Sequence, residues 1–431
     1  MKICLISPPA PFALEPAQNP PLGLCCLSAY LKTKIPNMEV VGVDFATKKQ
    51  YDYNKEEYLK SEIPRDCDIY GITGFSCQFK WMKQISRFIR GTCKQSSIVI
   101  GGPHASACPE ETFTQCHGHI VKGEGEEALY NLITHRHEVI ESLDDLPIPD
   151  RELFGLENYY RTLGGNPAVH ITTLRGCPYT CRFCHKSSVG THVRFRSVQN
   201  VMQEIDTIIN KYGIKSFVIY DDIFTLNRDR VYYFCDEFKK RQISWRCWSR
   251  TNLINTELLL TMKMAGLTSI TFGVESGDDR ILKAINKGTT VEQNRNALLA
   301  CKTAGVPVRC SLMFGNPTET LESVNNTINL IKECQPDEWN LAVLAPVPGS
   351  EFWEYPTKYG IRFDKDWVRD NDYLVTNRFG KTGVGDIWIE LSSMSKEEMR
   401  KNLQYMLEEL DKVCPRRIIQ DTIQTINKEQ I

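Results

Sequence analysis

Short β-branched runs alternate with helical patterns twice along this chain, and that alternation narrows its possible folds more than any other feature. In the first third the runs are KICLIS (2–7), EVVGVDF (39–45), DIYGITG (68–74), SIVIGG (97–102) and HIVKG (119–123). Helical patterns such as LGLCCLSAYLKTK (22–34) and KWMKQISRFIRGTCK (80–94) separate them. Apolar runs this short, joined by helices, predict parallel strands covered on both faces, a doubly wound α/β domain over residues 1–140. Ligands of such sheets sit beyond the carboxyl ends of the strands, where the glycine-containing turns lie.

Residues 141–165 begin ESLDDLPIPDRELFG, which lacks either periodicity and predicts a linker over the surface. The alternation then restarts with AVHITTLRG, SFVIYDD (216–222), SWRCWSR (244–250), SITFGVES (269–276), VPVRCSLMFG (306–315) and NLAVLAP (340–346). One intervening helix places Val201, Ile205, Ile208 and Tyr212 on one face, and Gly213, Gly266 and Gly305 stand where left-handed helix caps are expected. Six strand-helix units in a row predict a partial (βα)6 TIM-type barrel over 166–355, with its chemistry at the C-terminal strand ends. Residues 356–431 read as a mostly helical extension. An aromatic stretch with Trp353, Trp367, Tyr373 and Trp388 precedes a helix opened by the Ser395/Glu398 capping box. Met399, Leu403, Met406, Leu410 and Val413 follow at helical spacing, as for a helix closing one end of the barrel.

Composition lends several classes no support. With 52 basic against 53 acidic side chains, no global field would hold nucleic acid or an anionic bilayer by electrostatics alone. No apolar run reaches the roughly 18 residues of a membrane span, and MKICLISPP reads as a buried first strand rather than a signal peptide. A cytoplasmic location is expected. Seventeen cysteines without a signal peptide point to reduced thiols and metal chemistry rather than a disulfide framework.

The chemistry concentrates in LRGCPYTCRFCHKS, where Cys177, Cys181 and Cys184 form C-x3-C-x2-C after the first strand of the second domain. Soft sulfur ligands on a short loop favour an iron-sulfur cluster or zinc. A structural zinc would need a fourth ligand such as His185 or His192. An open-cornered cluster fits three thiols better, because its uncovered iron can bind a small molecule.

This loop, followed in order by VRFRS (193–197), YDDIFTLN (220–227), FGVESG (272–277), FGNPTET (314–320) and PVPGSEF (346–352), resembles the radical S-adenosylmethionine (SAM) enzymes. Together with the first domain it looks like the subgroup with an N-terminal, Rossmann-like cobalamin-binding domain. The resemblance implies a [4Fe-4S] cluster on the three cysteines, with SAM chelated to the fourth iron. SAM needs acceptors, a cation or backbone donors, and a flat apolar slot. Asp221 and Asp222 stand where relatives receive the SAM ammonium, although such a pair also suits a turn or N-cap. Ser249, Arg250, Glu275 and Ser276 end later strands and could meet polar groups of SAM. Arg309 could meet its carboxylate or a structural one. Gly315, with Asn316 and Pro317, forms a turn open to the adenine, and Phe183 could pack there. Arg194 and Arg196 could line the substrate mouth or form surface ion pairs.

For cobalamin the resemblance implicates Thr73, Gly74 and Phe75 beside the nucleotide tail, with Gly101, Gly102, Gly123 and Glu124 allowing or flanking close approach. His104 could approach the corrin or simply hydrogen-bond its own loop. The D-x-H-x-x-G sequence that often supplies a cobalt ligand is absent, which implies cobalamin held without a protein imidazole on the metal.

The function so implied is reductive SAM cleavage, driven by an external electron donor such as flavodoxin or ferredoxin, and cobalamin-dependent methylation of an unactivated carbon of a small molecule or peptide. The alternatives are a radical SAM dehydratase, cyclase or rearrangement catalyst, and a non-enzyme with a structural cluster or a cobalamin-carrier role. An RNA-modifying methylthio transfer is disfavoured by the lack of a basic stripe, so no nucleic acid or membrane partner is expected.

Overall fold

The computed structural model describes residues 1–10, 17–47, 56–186, 188–365, 387 and 389–414. The chain divides into two compact units, the first built mainly from Met1–Arg161 with His185–Thr207, the second from Thr162–Cys184 with Ile208–Asp364 and the later described residues.

In the first unit β1 (Lys2–Ser7), β2 (Glu39–Asp44), β3 (Ile69–Thr73), β4 (Ser97–Gly101) and β5 (His119–Ile120) form one parallel sheet in the order 2-1-3-4-5. Alternate side chains serve opposite faces, as the strand period requires. Cys4, Ile6, Tyr70, Ile72 and Ile100 pack with Phe79, Met82, Ile85 and Ile89 of helix Phe79–Thr92. Ile3, Leu5, Val40 and Val99 pack on the other face with Leu24, Tyr30 and Leu31 of helix Leu22–Lys34. Both faces are therefore dry, and the strand order reverses between β1 and β3, the switch point at whose carboxyl ends sheets of this kind bind ligands.

The segment expected as a linker over the surface packs on this unit. Leu143, Phe154 and Leu156 are buried, Asp150 accepts from Ser28 Oγ and Lys32 Nζ at 2.7 Å each, and Tyr159 donates to Asp44 at 2.7 Å. Its apolar residues follow neither a helical nor a strand period, so pattern alone could not show their burial.

In the second unit β6 (Thr162–Leu163) pairs antiparallel with β7 (Asn166–Ile171). The short strand β8 (Leu174–Arg175) leads to the cysteine loop, and β9 (Arg194–Phe195) lies in the VRFRS segment of the first unit. Then β10 (Ser216–Ile219), β11 (Ser244–Ser249), β12 (Leu267–Glu275), β13 (Val308–Phe314) and β14 (Glu338–Val343) continue from β7 as a parallel sheet in chain order. Six parallel strands with helices between them make the partial barrel. Its outer layer is apolar: Trp245 is fully buried against Phe224 and Phe238, and its indole donates to Ala265 O at 2.9 Å. Gly213, Gly266 and Gly305 have φ of +69°, +90° and +62°, the left-handed caps their spacing predicts.

The last described helix, Lys396–Asp411, is capped by Ser395 and Glu398 and buries Met399, Leu403, Met406 and Leu410. It packs on helix Leu321–Cys334. Trp353 is buried, whereas Trp367, Tyr373 and Trp388 lie outside the described residues.

Candidate functional site

The cysteine loop leaves β8 and is fixed from several sides before any cofactor is considered. Upstream, Asp221 at the end of β10 accepts from Thr173 N (2.6 Å), Leu174 N (3.2 Å) and the Thr173 hydroxyl, while Arg230 donates to Thr173 O at 2.7 Å. Within the loop, Arg182 N–H donates to Ile285 O (3.0 Å), and Asn286 Nδ2 donates to Thr180 O (2.8 Å). Downstream, the PVPGSEF segment closes on it, with Phe352 N–H donating to Arg182 O at 3.1 Å. Cys177 and Cys181 are half-buried and Cys184 is exposed. The loop thus offers three thiols on an anchored turn, a donor set that soft metals and iron-sulfur clusters accept.

Several residues expected at the SAM groups are occupied elsewhere. Asp221 is buried and spends its carboxylate on Thr173 and Leu174, and burial pushes its carboxyl up to about 6 against the pull of those hydrogen bonds and Arg230. Asp222, beside it, is exposed. Ser249 meets the Thr225 hydroxyl, and Ser276 lies 3.2 Å from Thr327 Oγ1 and accepts from Asp278 N–H. Arg309 sits at the N-terminal end of β13, where register neighbours bring it to Glu338, its Nε donating at 2.7 Å. It therefore takes the structural carboxylate, at the end of its strand remote from Gly315.

Glu275 is placed differently. A one-residue register slip between β12 and β13 falls at Gly273/Glu275, and Glu275 itself has φ of +62°. Such bulges re-aim a strand-end side chain, and a non-glycine in this conformation signals a site the surrounding structure holds in place. Its carboxylate accepts from Lys287 Nζ at 2.7 Å. Gly273 leaves room for the pair, since a Cβ there would lie 2.5 Å from Glu275 Oε1 and 2.6 Å from Lys287 Nζ. Lys287 also lies 5.9 Å from the ring of Phe183 in the cysteine loop. Sequence reasoning missed Lys287, a lone lysine in a loop with no pattern to mark it.

Arg250 turns toward the loop. It is buried, its guanidinium lies 3.6 Å from the Tyr179 ring centroid, and it donates to Lys287 O and, at 3.7 Å, to Cys181 Sγ. An aromatic group also went unread: Tyr220 stacks 4.8 Å from Trp248 and meets His170 edge-on at 5.4 Å, with Arg246 over Trp248.

At the end of β13, Gly315 has φ of +85° and, with Asn316, donates backbone N–H groups to Glu319. Asn316 is fully buried, and its Oδ1 has no hydrogen-bond partner among the described residues, an orphaned acceptor that a ligand donor would satisfy. Burial pushes the Glu319 carboxyl up to about 7, against the lowering effect of the two N–H groups. A raised carboxyl favours folding when protonated, so this contribution is complete below about 4.5 and is lost as pH rises through about 7, a swing of roughly 3 kcal/mol. Glu319→Gln is therefore expected to match the parent's thermal midpoint at pH 5 and to exceed it at pH 8. Parallel midpoint-against-pH curves for the two proteins would refute the assignment.

In the first unit the loops that follow β3, β4 and β5 meet at the carboxyl end of the sheet. Phe75 is 62% exposed, unusual for a phenylalanine at a sheet end. Gly74 O accepts from His104 N–H at 3.1 Å, and Ser106 Oγ accepts from Gly123 N–H at 3.0 Å. Gly102 has φ of +87°, and a Cβ on it would lie 2.3 Å from Thr73 Oγ1, so the β3 and β4 loops approach as closely as a glycine permits. Gly101 is extended and half-buried beside it. His104 does not face outward there: it is fully buried, its ring 4.0 Å from that of Phe79 and its Nδ1 3.0 Å from Ser76 Oγ. Glu124 pairs with Arg194, and Arg196 pairs with Glu204 at 2.6 Å, so both arginines take the ion-pair alternative.

Residues 171–331 match the Radical SAM superfamily model and residues 16–133 the B12 binding domain model. The chain is 30% identical to an uncharacterized methyltransferase of Pyrococcus horikoshii, over 94% of this chain and 91% of that protein. It is 26% identical to the anaerobic magnesium-protoporphyrin IX monomethyl ester cyclase of Rubrivivax gelatinosus, over 78% of this chain and 66% of that one. Its fold is shared by the radical S-adenosylmethionine methyltransferase TsrM of Kitasatospora setae, solved with cobalamin and a [4Fe-4S] cluster bound. The TM-score is 0.72 at 16% identity, covering 97% of this chain and 93% of that one.

Proposed function

The chain belongs to the radical SAM superfamily and carries a B12-binding domain, and from that premise we propose that it is a cobalamin-dependent methyltransferase acting on an unactivated carbon. The observation that carries the proposal is the anchored three-thiol loop at the C-terminal end of the first barrel strand, the end at which barrels of this kind do chemistry. When bound, the cluster supplies an electron for cleavage of SAM and cobalamin supplies a methyl group.

This chain's residues do the rest. Cys177, Cys181 and Cys184 offer thiolates on a loop held by Asp221, Asn286 and Phe352. Glu275 and Lys287 present a carboxylate and an ammonium side by side, complementary to the amino and carboxylate groups of SAM. Phe183 and the Gly315–Asn316 turn offer an apolar face and an orphaned acceptor for the adenine. Tyr220 and Trp248, at the ends of β10 and β11, form an apolar wall that helps exclude water from a reactive intermediate. The loops bearing Thr73, Gly74, Phe75, Gly101, Gly102 and Gly123 offer cobalamin a glycine-lined approach without a protein imidazole, since His104 faces the core. Gly102→Ala, which adds a methyl group where none fits, is expected to lower retained corrin about tenfold with the circular dichroism spectrum unchanged. Undiminished corrin would place the cofactor elsewhere.

The reductant is external, in keeping with the superfamily, and a flavodoxin or ferredoxin suits the role. Among the described residues no helix is long and apolar enough to cross a membrane, and a cytoplasmic location suits oxygen-sensitive cluster chemistry. The cyclase relative supports a second outcome, ring closure or rearrangement without methyl transfer. Anaerobic purification with added cobalamin, followed by assay with methyl-labelled SAM, separates the two. Methylation carries label into product, whereas the second outcome leaves it in methionine. Zinc in place of iron on the loop would end both.

A further inference from the structure

Arg250 poses a problem of charge. It is only 5% exposed, and its contacts are a phenol ring, the Asn252 side chain at 3.3 Å, the Lys287 carbonyl and the Cys181 sulfur. Among the described residues no carboxylate pairs with it. An arginine cannot shed its proton in a protein, and a buried cation without a counter-ion is costly. On the cysteine loop its guanidinium reaches Cys181 Sγ at 3.7 Å, so a negatively charged group held by that loop would settle it.

We propose that Arg250 is a positioning residue for the cluster and sets its reduction potential: the guanidinium, clamped between Tyr179 and the Lys287 carbonyl, hydrogen-bonds the Cys181 sulfur and stabilises the electron-rich reduced cluster. This rests on the functional reading above. A reduced cluster carries one more negative charge than the oxidised one, so a fixed neighbouring cation favours reduction, and more so out of water. Hydrogen bonds to cluster sulfurs act in the same direction. The clamp matters because the planar fork is fixed before the electron arrives and needs no reorganisation. Lysine could not reproduce it, since its ammonium is a hydrated point charge on a flexible stem.

The test uses the full-length protein, reconstituted with iron and sulfide under anaerobic conditions, as the parent, Arg250→Gln and Arg250→Lys. Iron and sulfide content are measured first, then the cluster is poised at a series of potentials without SAM and its reduced fraction read by electron paramagnetic resonance. At a fixed potential the Gln variant is expected to show a reduced-to-oxidised ratio about tenfold below the parent, or about 59 mV for a one-electron couple. The Lys variant should fall between them. An unchanged SAM-free potential in whichever variant loads iron overturns the proposal, as does weakened SAM binding at unchanged potential, which would assign Arg250 to SAM. If both variants refuse iron while the parent loads it, Arg250 is scaffolding and the tuning role fails. A parent that takes up no iron fails the functional reading itself, a result visible before any potential is measured.

Discussion

Cys181→Ala is expected to abolish SAM cleavage, lowering 5'-deoxyadenosine formation by more than about a thousandfold while lowering the free energy of unfolding in denaturant by under about 1 kcal/mol. The asymmetry follows from where the thiol stands. Cys181 is half-buried on a loop held by contacts of its neighbours: Arg182 N–H on Ile285 O, Thr180 O on Asn286 and Arg182 O on Phe352. Those survive the substitution, and the fold gives up only the 3.7 Å contact from Arg250 to the sulfur, so it loses little. The donor set does not survive it, because three thiols are already one short of a fully ligated cubane and two cannot hold it against loss of iron. Iron per chain should fall well below about four after anaerobic reconstitution. If the cluster were structural, or the protein a carrier, the same change would cost stability and leave no SAM cleavage to lose. Parent protein that binds iron yet yields no 5'-deoxyadenosine under reductant would decide for that alternative.

The loop could be found from sequence because its chemistry is local: three cysteines seven residues apart end to end, after a β-branched run, need no tertiary knowledge to recognise. The two sheets were legible for a related reason, since strands covered on both faces carry unbroken apolar runs and their helices carry capping signals. Individual ligands were harder. Asp221, Ser249 and Ser276 do end their strands, but a strand-end residue has two faces to choose from, and these three bond to neighbouring backbone and hydroxyl groups instead. The choice depends on partners such as Thr173, Thr225 and Thr327, which are far away in sequence. Glu275 reaches its place only through a bulge, and a register slip leaves no mark in the pattern of the strand itself. Lys287 becomes informative once Glu275 is there to meet it.

One site had a signal that periodicity analysis passes over. Val201, Ile205 and Ile208 form the buried face of helix Val198–Tyr212, and Glu204 falls on that same face at helical spacing. A carboxylate there must be paired. It is fully buried, and its two oxygens accept from Arg151 Nη2 and Arg196 Nη1 at 2.6 Å each. Burial alone would raise its carboxyl, but the two guanidiniums outweigh that and hold it below the usual carboxylate range. Glu204 thereby fastens two irregular stretches, the docked segment bearing Arg151 and the strand-exit segment bearing Arg196 that follows the cysteine loop.

Glu204→Ala should accordingly cost about 3–5 kcal/mol in chemical denaturation of the full chain, because it removes the buried carboxylate that pairs with Arg151, itself only 4% exposed. Replacing both partners, Glu204→Leu with Arg151→Met, should cost less than Glu204→Ala alone, since desolvated charge rather than lost attraction dominates such sites. The pH dependence has a definite sign. A depressed carboxyl stabilises the fold above its unfolded pKa, and that contribution drains away as pH falls through the lowered folded value. The gap between parent and Glu204→Gln should therefore be widest near neutrality and close below about pH 4. A Glu204→Ala protein within about 1 kcal/mol of the parent at pH 7 would mean that solvent reaches the pair, and that the segment after the cysteine loop is held by something other than this triad.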